Sequence, residues 1–586
     1  NICSSLTAVK AFDRRRFLLL SGSAATPWLI GCDFGAAQSG PGPVLGQVGG
    51  DTPPGMVGPR GSAVPCAVEP DDGRIFDLSV ASADPSATGV VLWTHLRPEA
   101  VVAGRPLFFQ LARDPQFASL LMEGQVAGEI GLDTDHTVRV DLDGHLAPGA
   151  YHYRFVYGCK ASPTGRCRTL PAAGVPSLKL ALVTCQDFTN GYYEVFRHLA
   201  ADDVDFVLHL GDFIYESAAD PRFQSLPFAD RKVILPSDGK VALNLGDYRH
   251  LYRTYRGDPN LRRALERHTF IFVPDDHETA NDCYWDYTRD TLGAPDHPMK
   301  DDAGAMRQLK LDSQRAWTEY VPARVAIEPG ATHPHRFLRS YREFAFGDLF
   351  RYLALDTRTY RMPHPCGEGD VFQRYLPVGC RQAAEPSRSI LGPAQRTWLI
   401  DRLAAGGALW KVLGNQTFFG TLNVTGGWPV NTDAWDGFEA ERRWLMDEVK
   451  KRAVENLVVL TGDLHSYIAS TVKVDYSKPA DADNLVGVEF MTPSVTSAAL
   501  FDLMLKGLGP SPFAAGLSEG AVRLNNPHIK FFDSSQHGYS TIELTRAHCE
   551  WVAYAVDKDR PSDTVRKPIA RLRKLLEMPG LVDLGV

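Results

Sequence analysis

Four short apolar runs in this chain end alike, and that repetition constrains the fold more than any other feature. LKLALVTCQ (178–186), DFVLHLGD (205–212), HTFIFVPDDHE (268–278) and NLVVLTGDLH (456–465) each close a stretch of Leu, Val, Ile and Phe with Cys, Asp, His or Glu. Runs this short and this apolar are expected of strands covered on both faces. Between the first two lies YYEVFRHLAADD (192–203), which has helical spacing. A β-α-β succession pairs its strands in parallel and places reactive groups at their carboxyl ends. DLFRYLALDTR and LWKVLGNQ repeat the pattern, so the ends should line one edge.

The region before these runs reads differently. From about 74 to 170, FDLSVA, GVVLWTHL, PLFFQLA, HTVRVDLDG and YHYRFVYG are separated by turn residues, as in a small antiparallel β-sandwich. With 586 residues, more than one core usually organises, the chain divides into a leader (1–33), a Gly- and Pro-rich linker (34–70) and the sandwich (71–173). A large α/β domain (174–556) and a basic tail (557–586) follow. The tail segment 561–577 has helical spacing, with Arg566, Lys567, Arg571, Arg573 and Lys574 on one face.

Lys and Arg total 62 against 70 Asp and Glu, a net charge of −8, so the chain lacks the basic footprint of a nucleic-acid binder. The leader carries Arg14-Arg15 before an apolar run (17–31) shorter than the ~20 residues a bilayer span takes. This resembles a twin-arginine export signal, making the twin-arginine translocase a partner. Leu29-Ile30-Gly31-Cys32 resembles a lipobox whose Cys32 would carry a lipid anchor. Export to the periplasm or cell surface permits disulfides, and the spacing favours Cys159 with Cys167 and Cys366 with Cys380.

The strand ends supply metal-type donors: Cys185 in TCQD, Asp212 and Tyr215 in GDFIY, Asp276 and His277 in DDHE, and Asp463 and His465 in GDLH. A Gly-Asp pair alone is usually a turn, but four such endings in order point to one centre. There is no GxSxG elbow and no phosphate-binding loop ending in Gly-Lys-Ser, so no protein nucleophile is expected.

Together with ASADPSATGVVLWTHL, CQDFTNGYY, DFVLHLGDFIYE, DDHETAND, LALDTRTYR, LTGDLHS and NPHIKFFDSSQHGY, these segments resemble the PhoD-type alkaline phosphatases of the calcineurin-like metallophosphatase superfamily. The resemblance implies a β-sandwich followed by a four-layered α/β/β/α metallophosphoesterase domain. It also implies Fe³⁺ held by Cys185, Asp212, Tyr215 and His465, and Ca²⁺ on Asp212, Asp276 and Asp463. Thiolate and phenolate suit a high-charge ion, and carboxylates suit a hard one. Five anionic ligands balance Fe³⁺ plus one divalent ion. The alternative is a pair of divalent metals.

Asn415, ending LWKVLGN, is the candidate neutral ligand of the divalent ion, with Gln416 competing. His277, with Asp212, is the catalytic candidate; it would bind the phosphoryl group or protonate the leaving oxygen. Arg358, Asn190, His537 and Tyr539 are weaker candidates for substrate contact. The expected function is hydrolysis of small-molecule or lipid phosphate esters, monoester or diester, by metal-activated water. The alternatives are a phospholipase D-like or teichoic-acid-type phosphodiesterase and, from another class, a non-catalytic surface-binding lipoprotein.

Overall fold

The computed structural model describes residues 63–586 except 129, 225, 371–373, 376–378, 425–427, 430, 482, 500–518, 563–564, 577 and 579. The leader, its arginine pair and Cys32 lie outside the described residues.

Alternation within the apolar runs organises two large sheets. In Ser177–Val183, Leu178, Leu180 and Leu182 enter one core while Ala181 and Val183 enter another. Phe206 and Leu208 part from Val207 in the same way, and Ile271 from Phe270 and Phe272. Successive strand side chains point to opposite faces, so a run buried on both is apolar throughout. Ser177–Val183, Phe206–His209 and Thr269–Phe272 pair in parallel at the centre of a ten-stranded sheet. Phe350–Ala354, Trp410–Gly414 and Leu457–Thr461 do likewise in a seven-stranded sheet.

One core draws on both sheets, with Leu180, Leu208 and Ile271 from the first and Tyr352, Val412, Val458 and Leu460 from the second. The other face of the ten-stranded sheet packs on helices Glu194–Ala201, Leu245–Arg256, Pro259–Arg267 and Ala303–Tyr320. Helices Gly392–Ala404 and Glu439–Lys451 cover the seven-stranded sheet through Leu399, Leu403, Leu445 and Val449. Asp258 caps its helix by accepting from Asn260 N–H and Leu261 N–H, with Pro259 at the first helical position. The result is a mixed α/β fold.

The strands expected to form a separate preceding sandwich are divided between two sheets. Val80–Ser86 pairs in parallel with Thr269–Phe272, so Val80–Ser86, Gly89–His95 and Thr137–Asp141 extend the ten-stranded sheet. Leu107–Ala112, Leu120–Gln125 and Ala150–Tyr157 belong to a six-stranded sheet. A core of Val80, Leu92 and Val140 with Phe109, Tyr151 and Phe155 joins the two. The first region therefore shares a leaf with the sheet that bears the candidate ligands.

Two further expectations are corrected. Cys159 bonds to Cys66, not Cys167. Pairing of Gly165–Arg168 with Ala150–Tyr157 sets Cys167 opposite Tyr151 and buries its free thiol in the core that joins the ten- and six-stranded sheets. The Cys366–Cys380 bond is present. The described residues of the tail hold a strand where a helix was expected: Lys567–Leu575 is antiparallel to His548–Ala555. Ala570 and Leu572 face the core between the sheets, whereas Arg571 and Arg573 pair with Glu550, an alternation of period two that suits a strand. No described helix is long and apolar enough to cross a membrane.

Candidate metal centre

Every candidate ligand follows a strand of one of the two sheets. Cys185, Asp212, Tyr215 and Asp276 follow strands of the ten-stranded sheet; Asp463 and His465 follow Leu457–Thr461 of the other. The loops turn at once to fold their side chains inward. Cys185, Asp212, Asp463 and His465 have φ of 55°, 57°, 63° and 52°, in the left-handed region that non-glycine residues rarely occupy. Strain of this kind costs about 1–3 kcal/mol per residue and persists where surrounding structure over-determines it.

That structure is visible. Cys185 N–H donates to Gly211 O, and Gln186 N–H to Asp212 O, both at 3.1 Å. Glu278 braces two loops by accepting from Asp212, Phe213 and Asp275 N–H at 3.1, 2.6 and 2.7 Å. Gly211 must be glycine, since a Cβ there would lie 2.4 Å from Asp275 Cβ.

The donor atoms converge. Asp212 Oδ2 lies 3.2 Å from Cys185 Sγ and 3.3 Å from Tyr215 Oη, and Tyr215 Oη is 3.3 Å from His465 Nε2. His465 Nδ1–H donates to Ala498 O at 2.6 Å, leaving Nε2 as a lone-pair donor. Three groups of candidate ligands overlap: Cys185, Asp212 and His465; Asp212, Asp276 and His277; Asp275, Asp276 and Asp463, with the donor atoms of each group within 4.8 Å of one another. Asp212 and Asp276 each belong to two of the groups, and Asp212 is the one that joins the Cys185 and His465 donors to the acids, as a bridging carboxylate would.

Burial sets the electrostatics. It pushes the Cys185 thiol, the Tyr215 phenol and the Asp212 carboxyl well above their ordinary ranges, with neighbouring acids adding to the rise. Burial also lifts Asp463, with Asp275, Asp433 and Asp276 adding to the rise against the pull of Arg358. Burial holds His465 at about 4, so its imidazole is neutral. Acidic donors crowded away from water and a neutral imidazole among them form the donor set that a cation relieves. Asp275 Oδ2 and Asp276 Oδ1 are buried acceptors without a hydrogen-bond donor, which also fits a cation.

His277 lies beside these donors, its ring 4.0 Å from that of Tyr215. Its N–H donates to Asp212 Oδ1 at 3.3 Å, and its Nδ1 pairs with Glu216 Oε2 at 2.7 Å. Burial opposes protonation of His277, but Glu216, Asp276 and Asp212 overcome it and raise the imidazole well above its usual range. Glu216 was not foreseen from sequence, although its position four residues after Asp212 in GDFIYE is a signal.

Asn415 is the candidate ligand whose polar atoms are spent elsewhere. Its Oδ1 accepts from Trp435 Nε1 at 2.9 Å and its amide donates to Thr417 O. Gln416 is equally occupied, by Thr357, Pro274 and Leu355. Strand-end amides here stitch loops together. Tyr539 donates to Asp202 at 2.6 Å, His537 pairs with Ser497 O, and Asn190 donates to Asp187, so none of these three faces the centre through those bonds. Arg358 is central instead, with ion pairs to Asp275, Asp433 and Asp463.

A family model described as PhoD-like phosphatase matches residues 180–552, and one for the PhoD-like phosphatase N-terminal domain matches 63–171. Over 480 residues the chain is 31% identical to alkaline phosphatase D of Bacillus subtilis (strain 168), covering 80% of this chain and 76% of that one. A solved structure titled "Structure of PhoD" aligns with a TM-score of 0.74 at 27% identity, covering 88% of this chain and 94% of the other. The matched span holds every donor that converges on the centre, and the chain is an enzyme of the PhoD-like phosphatase family.

Proposed function

We propose that this chain is an exported, metal-dependent phosphoesterase that hydrolyses phosphate monoesters, diesters or both. The observation that carries the reading is the meeting of Cys185 Sγ, Asp212 Oδ2, Tyr215 Oη and His465 Nε2 through gaps of 3.2–3.3 Å, although they come from two different sheets. These four would hold Fe³⁺, and Asp212, Asp276 and Asp463 would hold Ca²⁺ or another divalent ion beside it. When bound, such a pair supplies positive charge to the phosphoryl oxygens and acidifies a water for in-line displacement.

The protein's own groups have distinct tasks. Asp212, whose carboxylate lies within reach of both donor groups, would hold both cations. Glu216 occupies Nδ1 of His277 and leaves Nε2 to give a proton to the departing oxygen. Glu278 holds the two ligand loops in register. The core between the two large sheets and the two cores beneath the helices are read as an α/β/β/α layering. Export is supported by the disulfides Cys66–Cys159 and Cys366–Cys380, which suit an oxidising compartment, and by the twin-arginine and lipobox motifs.

Elemental analysis and a visible spectrum of the purified protein, then hydrolysis of p-nitrophenyl phosphate and bis-p-nitrophenyl phosphate with and without Ca²⁺, test this. Iron, a phenolate-to-iron absorption band and Ca²⁺-dependent turnover are expected. A colourless, iron-free, fully active protein would leave a pair of divalent metals as the better account, and an inactive one without stoichiometric metal would favour a binding lipoprotein.

A further inference from the structure

Arg358 is 2% exposed and sits among four carboxylates. Its Nε pairs with Asp275 Oδ1, its Nη1 with Asp433 Oδ2 at 2.7 Å and its Nη2 with Asp463 Oδ1 at 2.7 Å; Asp276 Oδ1 is 3.6 Å from Nη2. The last distance is too long for a hydrogen bond. A buried guanidinium normally pairs its planar fork with acids and stops there. Here the acids are left half-used. Asp275 gives Oδ1 to Arg358, and its Oδ2 has no donor. Asp276 Oδ2 accepts from Asp282 N–H at 2.6 Å, and its Oδ1 has no donor.

We infer that Arg358 is a positioning residue for the divalent cation: it holds one oxygen each of Asp275 and Asp463 so that Asp275 Oδ2 and Asp276 Oδ1, with Asp463, form the cation's seat. Asp275 thereby joins the ligand set. This rests on the metal-centre reading proposed above and extends it to residues the sequence did not single out as ligands.

Charge supports the same assignment. Asp275, Asp276 and Asp463 carry three negative charges when ionised, and Arg358 offsets one, leaving the two that suit a divalent ion. Asp433 does not add to the excess, because Arg361 pairs with its Oδ1 at 2.9 Å and His364 Nε2 approaches that oxygen at 2.8 Å. Asp433 is thus the outer anchor that keeps Arg358 aimed. The iron-type donors Cys185, Tyr215 and His465 make no ion pair with Arg358 among the described residues, so its loss should separate the two positions.

The test is Ca²⁺ titration by calorimetry of the full-length protein, stripped of divalent ions but retaining iron, as parent, Arg358→Gln and Arg358→Lys. Arg358→Gln is expected to weaken Ca²⁺ binding about 10–100-fold, as losses of groups that orient metal ligands do. Iron content and visible band should stay at parental values, and Arg358→Lys should recover part of the affinity. Ca²⁺ affinity within twofold of the parent, or tighter, would overturn the inference, the latter showing that the guanidinium competes with the ion. Should Arg358→Gln fail to fold, Asp433→Asn is read in its place: weaker Ca²⁺ binding with iron intact supports the inference, and unchanged binding overturns it. A parent that takes up no Ca²⁺ overturns the metal-centre reading as well, whereas a parent that binds it beside indifferent variants overturns the role of Arg358 alone.

Discussion

Gly462 and Thr184 meet across the seam between the two sheets: a Cβ on Gly462 would lie 2.6 Å from Thr184 Oγ1 and 3.1 Å from its Cβ. Thr184 precedes Cys185 and Gly462 precedes Asp463, so the approach of these two residues sets how near the ligands of one sheet come to those of the other. Gly462→Ala should push the loops apart and cost about 1–3 kcal/mol of stability, the usual scale of overpacking. Iron content should fall with it. The effect should be smaller in a Thr184→Ala background, and a double-mutant cycle on the thermal midpoint measures that coupling. Full additivity would mean that the two loops do not bear on each other.

Loss of Asp212 should be worse than loss of any other single ligand, because its carboxylate is the one that joins the group holding Cys185 and His465 to a group of acids holding Asp276. Asp212→Ala is expected to lower turnover by more than the roughly 10–100-fold that losses outside the ligand set cost, and to deplete both metals. Asp463→Asn should deplete only the divalent ion. Near-normal metal content and turnover in Asp212→Ala would refute a shared ligand.

Glu216 reaches the chemistry only through His277. Glu216→Gln should reduce kcat about 10–100-fold while metal content stays constant, since the imidazole loses the partner that orients it. Because Glu216 Oε1 also accepts from Asn281 N–H at 2.8 Å, the thermal midpoint must be read alongside. A variant that lost metal in proportion to activity would place Glu216 among the supports of the ligands and not of the proton donor.

Acid should destabilise the fold through buried histidines. Burial holds His528 and His209 at about 3 and His268 at about 4, against an ordinary value of about 6.5. Their pKa values are depressed on folding. Between pH 6.5 and about 4 the unfolded chain therefore binds protons the native state refuses, and stability drops as pH drops, by up to about 1.4 kcal/mol per group per pH unit. Glu489, which burial raises to about 7, titrates in the opposite sense, its contribution being lost as pH rises. Urea midpoints of the parent and of His528→Gln from pH 7.5 to 5 isolate one histidine by difference. The variant should lose less stability on acidification; parallel curves would show that His528 is protonated in the fold.

Many of the central strands could be located directly from the chain. A run such as LKLALV is apolar throughout because both of its faces are covered, and such runs announce central strands whatever surrounds them. The tail was harder. ARLRKLL fits a helix if its basic residues are grouped and a strand if they are alternated, and only the neighbouring Glu550, pairing with Arg571 and Arg573, decides between them. Cys159 likewise had a near candidate in sequence, Cys167, and one 93 residues away in sequence but adjacent in space, Cys66; strand register removed the first by turning it into the core.

The chain by itself determined which chemical groups terminate its strands, because local alternation and a few Gly-Asp turns are properties of short segments. It determined neither that one leaf of the first region continues the sheet bearing Asp276 nor that Asn415 is spent on Trp435. Nor did it reveal that Arg358, Glu216 and Asp275 stand among the ligands. Those facts depend on contacts between residues tens to hundreds of positions apart, fixed when two sheets share one core, and a side chain's partner across such a seam is set by packing rather than by its neighbours along the backbone.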